Sequence, residues 1–158
     1  MVETSGIHSA VIAVGEELLS GQTTDTNGSW LSERLASLGA PVLRRWVVGD
    51  RTSEIQDAVS AAVDVAELVV ITGGLGPTED DLTRRSVADR LGLQLTRDPR
   101  LLQELRDRFR VRGQADLPPS NLGQAEVPEG AEVIPNARGS APGLWIDVEG
   151  RIVVLLPG

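Results

Sequence analysis

Glu67–Thr83 read ELVVITGGLGPTEDDLT, and this stretch decides the fold. Its apolar first part, Glu67–Thr72, predicts a buried strand. The strand runs into a glycine-rich loop, Gly73–Thr78, and a helix is expected to begin near Asp81, where acidic residues favour the first turn. A strand, a glycine-rich turn and a helix in this order are typical of an α/β domain.

The same alternation extends towards the N-terminus. Ser9–Val14 and Val42–Val48 are apolar runs that predict two further strands. Between them, a loop over 15–28 leads into a helix with Leu31, Leu35 and Leu38 on one face, and residues 53–63 repeat apolar side chains at helical spacing. Parallel strands joined by right-handed helical crossovers are the expected arrangement.

The C-terminal half predicts a helix and a hairpin joined by a long loop. Asp98-Pro99 is a strong helix start, whereas residues 114–142 are rich in proline and glycine and predict irregular structure. Leu144–Val148 and Arg151–Leu156 flank a two-residue turn and predict an antiparallel hairpin. We therefore expect one domain over residues 1–158, a three-layer α/β/α sandwich with a mostly parallel mixed sheet.

The composition excludes several classes of function. All 15 basic residues are arginine, cysteine is absent and His8 is the only histidine, so a phosphate-binding lysine, a cysteine nucleophile and a thiolate zinc site are excluded. A net charge of −8 opposes nucleic-acid binding. No apolar run approaches the roughly 20 residues of a membrane helix, and no signal peptide is visible. A cytoplasmic protein without a membrane partner is expected.

Three loops are expected to meet beyond the carboxyl ends of the first three strands, where open parallel sheets bind ligands. All three combine glycines with acidic residues. In the third loop, backbone N–H groups can form an anion nest that binds phosphate without a lysine, although a tight strand-to-helix turn explains the same residues equally well. The candidates for substrate binding in these loops are Gly15, Glu16, Asn27, Gly73, Gly74, Gly76 and Thr78.

The acidic residues beside this nest suggest a metal ion. Asp80 and Asp81 would repel a phosphate, and a divalent cation, Mg²⁺ or Mn²⁺, resolves that conflict because it bridges carboxylates and phosphates. Such a cation also lowers the pKa of a bound water. We expect Asp50, Asp80 or Asp81 to hold it, directly or through water, and any hydrolysis to use water as the nucleophile.

A second glycine-rich stretch, Pro135–Gly143, precedes the hairpin. One interpretation is that it covers the cleft and contributes Asn136, Gly139 and Ser140 to the binding site. The other is that it is an ordinary entry into a hairpin.

Several of these motifs together resemble a known family. The resemblance lies in Ala13–Gly21, Asp25–Asn27, Val47–Asp50, Thr72–Thr83, Asn136–Gly143 and Leu155–Gly158. In this order, and over nearly the whole chain, they resemble the N-terminal domain of the CinA (competence/damage-inducible) family. The resemblance implies the molybdopterin-binding fold, in which Gly73–Asp81 matches the pterin-phosphate loop and Asp50 and Asp81 match acids associated with adenylyl transfer.

The resemblance also implies a function. The corresponding domain of CinA-type proteins is associated with metal-dependent hydrolysis of ADP-ribose to AMP and ribose 5-phosphate, and we expect this activity, with Asp50 and Asp81 as catalytic residues. Two alternatives stay open: a non-catalytic module that binds molybdopterin or another pterin phosphate, and an assembly domain of a longer CinA-like protein. A homo-oligomer is expected because relatives of this fold often self-associate. Many family members continue into a deamidase domain, and we expect no deamidase activity from a chain that ends at Gly158.

Overall fold

The centre of the fold is one mixed sheet of six strands. The computed structural model describes residues 6–78, 81–114 and 116–158. In chain order the elements are β1 (Ser9–Val14), α1 (Glu16–Leu19), α2 (Thr26–Ser37), β2 (Val42–Val48), α3 (Thr52–Val65), β3 (Leu68–Thr72), α4 (Thr83–Arg90), β4 (Leu95–Arg97), α5 (Pro99–Val111), a 3₁₀-helix (Pro119–Ala125), β5 (Glu126–Pro128), β6 (Glu132–Ile134), β7 (Gly143–Val148) and β8 (Arg151–Leu156).

The strand order places four parallel strands side by side. The sheet runs β2-β1-β3-β8-β7-β6, and β4 and β5 form a separate antiparallel pair. β1 pairs in parallel with β2 and β3, and β3 pairs in parallel with β8, whereas β7 runs antiparallel to both β8 and β6. The carboxyl ends of β1, β2, β3 and β8 therefore lie along the same edge of the sheet, which is where such sheets bind ligands.

Strand β1 is buried along its whole length. α3 packs Ile55 and Val59 into the main core with Ile12 and Ile71, and α2 also contacts β1. A strand buried on both faces needs apolar side chains at successive positions rather than in alternation, and β1 has them. The α/β/α sandwich with a mostly parallel mixed sheet, expected from the sequence, is confirmed.

Local chemistry predicted two features of the chain well. Asp98 caps α5, since its carboxylate accepts the N–H groups of Arg100 and Leu101 at 2.7 and 3.2 Å. The hairpin of β7 and β8 forms with Glu149 and Gly150 at its turn, the two residues between the strands. Among the described residues no helix is long and apolar enough to cross a membrane.

Several local predictions are wrong. The loop expected over 15–28 contains α1 and the first residues of α2. α1 was missed because one helical turn is too short to show the periodic spacing of apolar residues by which helices are recognised. Leu38, expected on the buried face of α2, is 68% exposed, since it follows the last helical residue as the C-cap. The helix expected near Asp81 begins at Thr83. The irregular segment expected over 114–142 contains the 3₁₀-helix, β5 and β6, because such short strands are determined by their partners rather than by their own pattern.

Candidate functional site

A cavity of about 720 Å³ opens at the carboxyl edge of the parallel strands. Its walls come from the loops that follow β1, β2, β3 and β8, and from the segment that precedes β7. The structure brings most of the predicted site residues together there: Gly15, Asn27, Asp50, Gly73, Gly74, Gly76, Thr78, Asp81, Asn136, Gly139 and Ser140. The three loops of the first half of the chain thus share one cavity with the glycine-rich segment before the hairpin.

One predicted site residue, Glu16, is not among the described residues that line the cavity. The carboxylate of Glu16 lies 3.8 Å from Arg51 Nη2, and Glu17 lines the cavity in its place. Glu16 and Glu17 differ because both lie in α1. Successive side chains on a helix are rotated by about 100°, so the two adjacent carboxylates face different ways. Asp80 lies outside the described residues.

Gly73 and Gly74 determine the shape of the loop after β3. Both have positive φ, 94° and 64°, a conformation that residues with side chains adopt only at a cost. A Cβ on Gly73 would overlap the carbonyl oxygen of Val14, and a Cβ on Gly74 would overlap the hydroxyl of Thr83. The loop backbone therefore comes close to β1 and α4 and lines the cavity directly, with no side chain at these two positions.

Asp50 and Asp81 are both bonded to backbone amides at the cavity wall. Asp81 Oδ2 accepts hydrogen bonds from the N–H of Thr78 at 2.7 Å and from the Thr78 hydroxyl. Asp50 Oδ2 accepts the N–H of Glu16 at 3.1 Å, which connects the loop after β2 to the loop after β1. Each carboxylate therefore helps to shape the cavity as well as giving it negative charge.

A buried arginine connects the loop after β3 to the 3₁₀-helix. Arg84 is 6% exposed and donates to the carbonyl oxygens of Gly123 at 2.8 Å and Leu75 at 3.5 Å. Burial lowers the pKa of its guanidinium, while attraction to Glu126 and Asp81 acts in the opposite direction. Because arginine keeps its charge under such a shift, a buried positive charge lies close to this loop.

The start of α2 forms another wall. Asp25 Oδ1 accepts the N–H of Gly28 at 2.7 Å as the helix N-cap, and Asp25 Oδ2 lies 2.6 Å from Arg45 Nη2. Thr23 and Thr24 also line the cavity and carry hydroxyl groups. Carboxylate and hydroxyl oxygens accept hydrogen bonds, so this wall suits a ligand with N–H groups on a heterocyclic ring.

The segment 136–141 is fixed by hydrogen bonds within itself and to α5. Asn136 Oδ1 accepts the N–H groups of Arg138 and Gly139 at 3.0 and 3.1 Å, and Asn136 Nδ2 donates to Ala141 O at 2.9 Å. Arg108 of α5 donates to Gly139 O at 2.5 Å and to Asn136 O at 3.2 Å. These hydrogen bonds hold the backbone of this wall without any contribution from a ligand.

The described residues do not form a metal cluster on their own. No group of three or more histidine, cysteine, aspartate or glutamate side chains in the described part of the chain could hold a metal ion. Asp50 and Asp81 both line the cavity, and Asp80 is outside the described ranges. Metal binding by these three residues, and the choice between Mg²⁺ and Mn²⁺, stay predictions.

Sequence reasoning missed several lining residues: Thr23, Thr24, Arg138, Pro157 and Gly158. The last two follow β8, which the sequence analysis treated only as one arm of a hairpin. Residues 152–156 read IVVLL without alternation, and such a run is typical of a strand buried in a parallel sheet. That signal could have placed the end of β8 beside the other loops.

Comparisons with known proteins give the chain a context. The family model described as "Probable molybdopterin binding domain" matches residues 10–158. A CinA-like protein of Anaeromyxobacter dehalogenans (strain 2CP-1) is 49% identical over 148 residues, which are 94% of this chain and 36% of that protein. The crystal structure of CinA from Thermoplasma acidophilum matches with a TM-score of 0.90 at 40% identity, covering 97% of this chain and 89% of that one. MoaB from Thermus thermophilus, described as a molybdopterin biosynthesis enzyme, has a TM-score of 0.60 at 19% identity over 96% of this chain and 81% of that chain, and this likeness shows the fold alone.

The expectation of a metal-dependent ADP-ribose hydrolase is wrong. The matching family model describes a probable molybdopterin-binding domain, and the relatives that match are CinA-like proteins. The acidic residues of the loops do not by themselves specify hydrolysis, because carboxylates beside a phosphate can hold a bridging cation that only helps to bind the ligand. The alternative of a pterin-phosphate-binding module agrees better with these findings.

Proposed function

We propose that this chain, which belongs to the family of molybdopterin-binding domains and has CinA-like proteins as its relatives, binds a pterin phosphate in the cavity at the carboxyl edge of its sheet. The observation that carries the proposal is the pair of consecutive positive-φ glycines, Gly73 and Gly74, which line the cavity without a Cβ. The N–H of Gly73 donates to the carbonyl oxygen of Leu156, whereas the N–H groups of Gly74, Leu75 and Gly76 make no hydrogen bond within the described residues. Successive backbone N–H groups of this kind form concavities that bind anions. This part of the cavity is the proposed phosphate site.

The rest of the cavity suits the ring of a pterin. Its volume of about 720 Å³ lies within the roughly 300–1,000 Å³ that is usual for small-molecule pockets. Asp25 and Thr24 provide acceptor oxygens for the ring N–H groups, while Leu18 and Leu75 provide apolar contact. The chain spans about 36% of the length of the CinA-like relative, and the proposal concerns this domain alone.

Asp50 and Asp81 are proposed to share a hydrated Mg²⁺ or Mn²⁺ with the ligand phosphate. Mg²⁺ is commonly bound through one or two carboxylates together with phosphate oxygens, and it keeps several waters. A cluster of three protein ligands is therefore not required. The ion would supply positive charge between the two carboxylates and the phosphate.

Titration with 6-hydroxymethylpterin phosphate, followed by pterin fluorescence, tests the proposed function. The wild-type chain is expected to bind this probe saturably at one site. Gly74→Ala is expected to weaken binding by at least about tenfold, since its Cβ overlaps the Thr83 hydroxyl and displaces the loop.

Gly92→Ala is the matched control. Gly92 also has positive φ, 69°, but a Cβ there meets nothing within 4 Å, and Gly92 does not line the cavity. The control therefore carries the same backbone cost away from the site. Equal binding by the two variants, or no saturable binding by the wild type, contradicts the proposal and favours the assembly-domain alternative.

A further inference from the structure

The charges around the cavity are unbalanced. Glu17, Asp25, Asp50 and Asp81 all line it, and Arg138 is the only cationic side chain among the described lining residues. A phosphate dianion that enters this cavity meets repulsion from most of the charged groups around it. The backbone nest provides only partial charges, and the proposed metal ion is shared with Asp50 and Asp81, so a cationic side chain in the wall would add to the attraction for the phosphate.

Arg138 is placed to provide that charge. Its backbone N–H donates to Asn136 Oδ1 at 3.0 Å, which fixes the main chain at this position. Its guanidinium makes no hydrogen bond or ion pair with any other described residue, in contrast to the guanidinium groups of Arg108 and Arg45. The side chain is exposed at the cavity wall and is available to a ligand.

Two other basic side chains close to the cavity already have partners. Arg84 donates to two backbone carbonyl oxygens. Arg45 donates to Asp25 Oδ2 at 2.6 Å and to the Ser29 hydroxyl at 3.3 Å. The chain has no lysine. A guanidinium is also the better group for this role, because its planar fork can bind two phosphate oxygens at once.

We propose that Arg138 binds the phosphate of the ligand through paired hydrogen bonds and makes the cavity selective for a phosphorylated pterin over the same pterin without phosphate. This inference rests on the proposed function. The bonds from Arg108 to the carbonyl oxygens of Asn136 and Gly139 hold the segment that presents Arg138, so Arg108 is a positioning residue.

The test compares three probes on three forms of the full chain. The probes are 6-hydroxymethylpterin phosphate, 6-hydroxymethylpterin and inorganic phosphate, and the proteins are the wild type, Arg138→Gln and the control Arg112→Gln. Arg112 is exposed after the end of α5 and does not line the cavity. Arg138→Gln is expected to lose at least about tenfold in affinity for the phosphorylated pterin. Its affinity for inorganic phosphate is expected to fall as well. Its affinity for the unphosphorylated pterin is expected to equal that of the wild type.

Each other outcome has a defined meaning. Wild-type affinity of Arg138→Gln for the phosphorylated pterin, or an equal loss for both pterins, overturns the inference while the proposed function stands. If the wild type binds inorganic phosphate but neither pterin, the proposed function fails, and loss of phosphate binding in Arg138→Gln still supports the anion-binding role. If no probe binds, both proposals are overturned.

Discussion

At the scale of single residues, Asp81 combines a structural bond with a proposed role in binding. One of its carboxylate oxygens accepts both hydrogen bonds from Thr78, and the same group is proposed to share a metal ion with the ligand. Asp81→Asn keeps an acceptor oxygen but removes the charge. We therefore expect the free energy of unfolding to fall by less than about 1.5 kcal/mol, while Mg²⁺ no longer strengthens binding of 6-hydroxymethylpterin phosphate.

Asp81→Ala is the comparison variant, because it removes the acceptor as well as the charge. It is expected to lower the free energy of unfolding by more than Asp81→Asn does, by about 1–2 kcal/mol, because both hydrogen bonds from Thr78 are lost. Urea unfolding measures the stabilities, and titration with and without Mg²⁺ measures the metal effect. Binding of Asp81→Asn that Mg²⁺ still strengthens would argue against the metal role, and equal stability of the two variants would argue against the structural one.

At this scale the sequence predicts helix caps and tight loops, which depend on a few neighbouring residues. The start of a helix at Asp98 and the tight loop at Gly73-Gly74 follow from preferences that act over a few residues. The choice between Glu16 and Glu17 could not be made, because it depends on how one helical turn is oriented against the sheet. Arg138 was missed for a related reason, since only the folded chain places it beside the acidic loops.

At the scale of elements, α5 acts as the support of the segment 136–141. Arg108→Gln removes the two charge-assisted hydrogen bonds to this segment. We expect trypsin to cleave after Arg138 on the order of tenfold faster in this variant, because cleavage requires local opening of the segment. Mass spectrometry of the first fragments identifies the cleaved bond.

Arg106→Gln is the control for this experiment, since Arg106 is exposed on the same helix and does not line the cavity. Its cleavage rate after Arg138 should equal that of the wild type. A wild-type rate in Arg108→Gln would mean that the segment is held by its own hydrogen bonds alone. Protection of Arg138 by 6-hydroxymethylpterin phosphate in the wild type is expected as well.

The sequence predicted the long elements and missed the short ones. β1, β2, β3 and α5 have apolar runs or caps strong enough to be recognised in isolation. β4 and β5 are three-residue strands that pair with each other across about thirty intervening positions. The bonds from Arg108 to Asn136 and Gly139 are equally long-range, and no local pattern indicates them.

At the scale of the whole molecule, Glu67, which precedes β3, is hydrogen-bonded to His8, which precedes β1. The hydrogen bond from the His8 N–H, 2.8 Å long, lowers the pKa of Glu67 below its ordinary value of 4.5. Because the folded pKa is the lower one, the carboxylate stabilises the fold above its unfolded pKa, and this contribution is lost as the pH falls through the folded pKa. Glu67→Gln should therefore lower the Tm at about pH 7 and have a smaller effect on it at about pH 3.

Thermal unfolding of the wild type and Glu67→Gln at both pH values measures this difference. Glu33→Gln on α2 is the control, since Glu33 is exposed and makes no ion pair within the described residues. A Tm difference for Glu67→Gln that is as large in acid as at neutral pH would rule out the carboxylate as its cause.

The outer side of α2 and β2 is apolar in several places. Trp30 and Leu38 on or next to α2, and Leu43 and Val47 on β2, are exposed. Large contiguous apolar patches mark surfaces that other molecules cover, whereas single exposed apolar side chains are normal on a protein surface. Homo-oligomerisation, expected from the family resemblance, stays a prediction.

The position of β8 has a consequence for how the protein is made. This last strand lies between β3 and β7, and it pairs Ile152 with Leu68. On the ribosome, the first half of the chain emerges with one edge of β3 unpaired, and such an edge attracts chaperones and aggregation partners. Until β8 is made, the N–H of Gly73 also lacks the carbonyl oxygen of Leu156 to which it donates in the folded domain. We therefore expect the proposed pterin phosphate to bind only after β8 has been synthesised and has paired with β3.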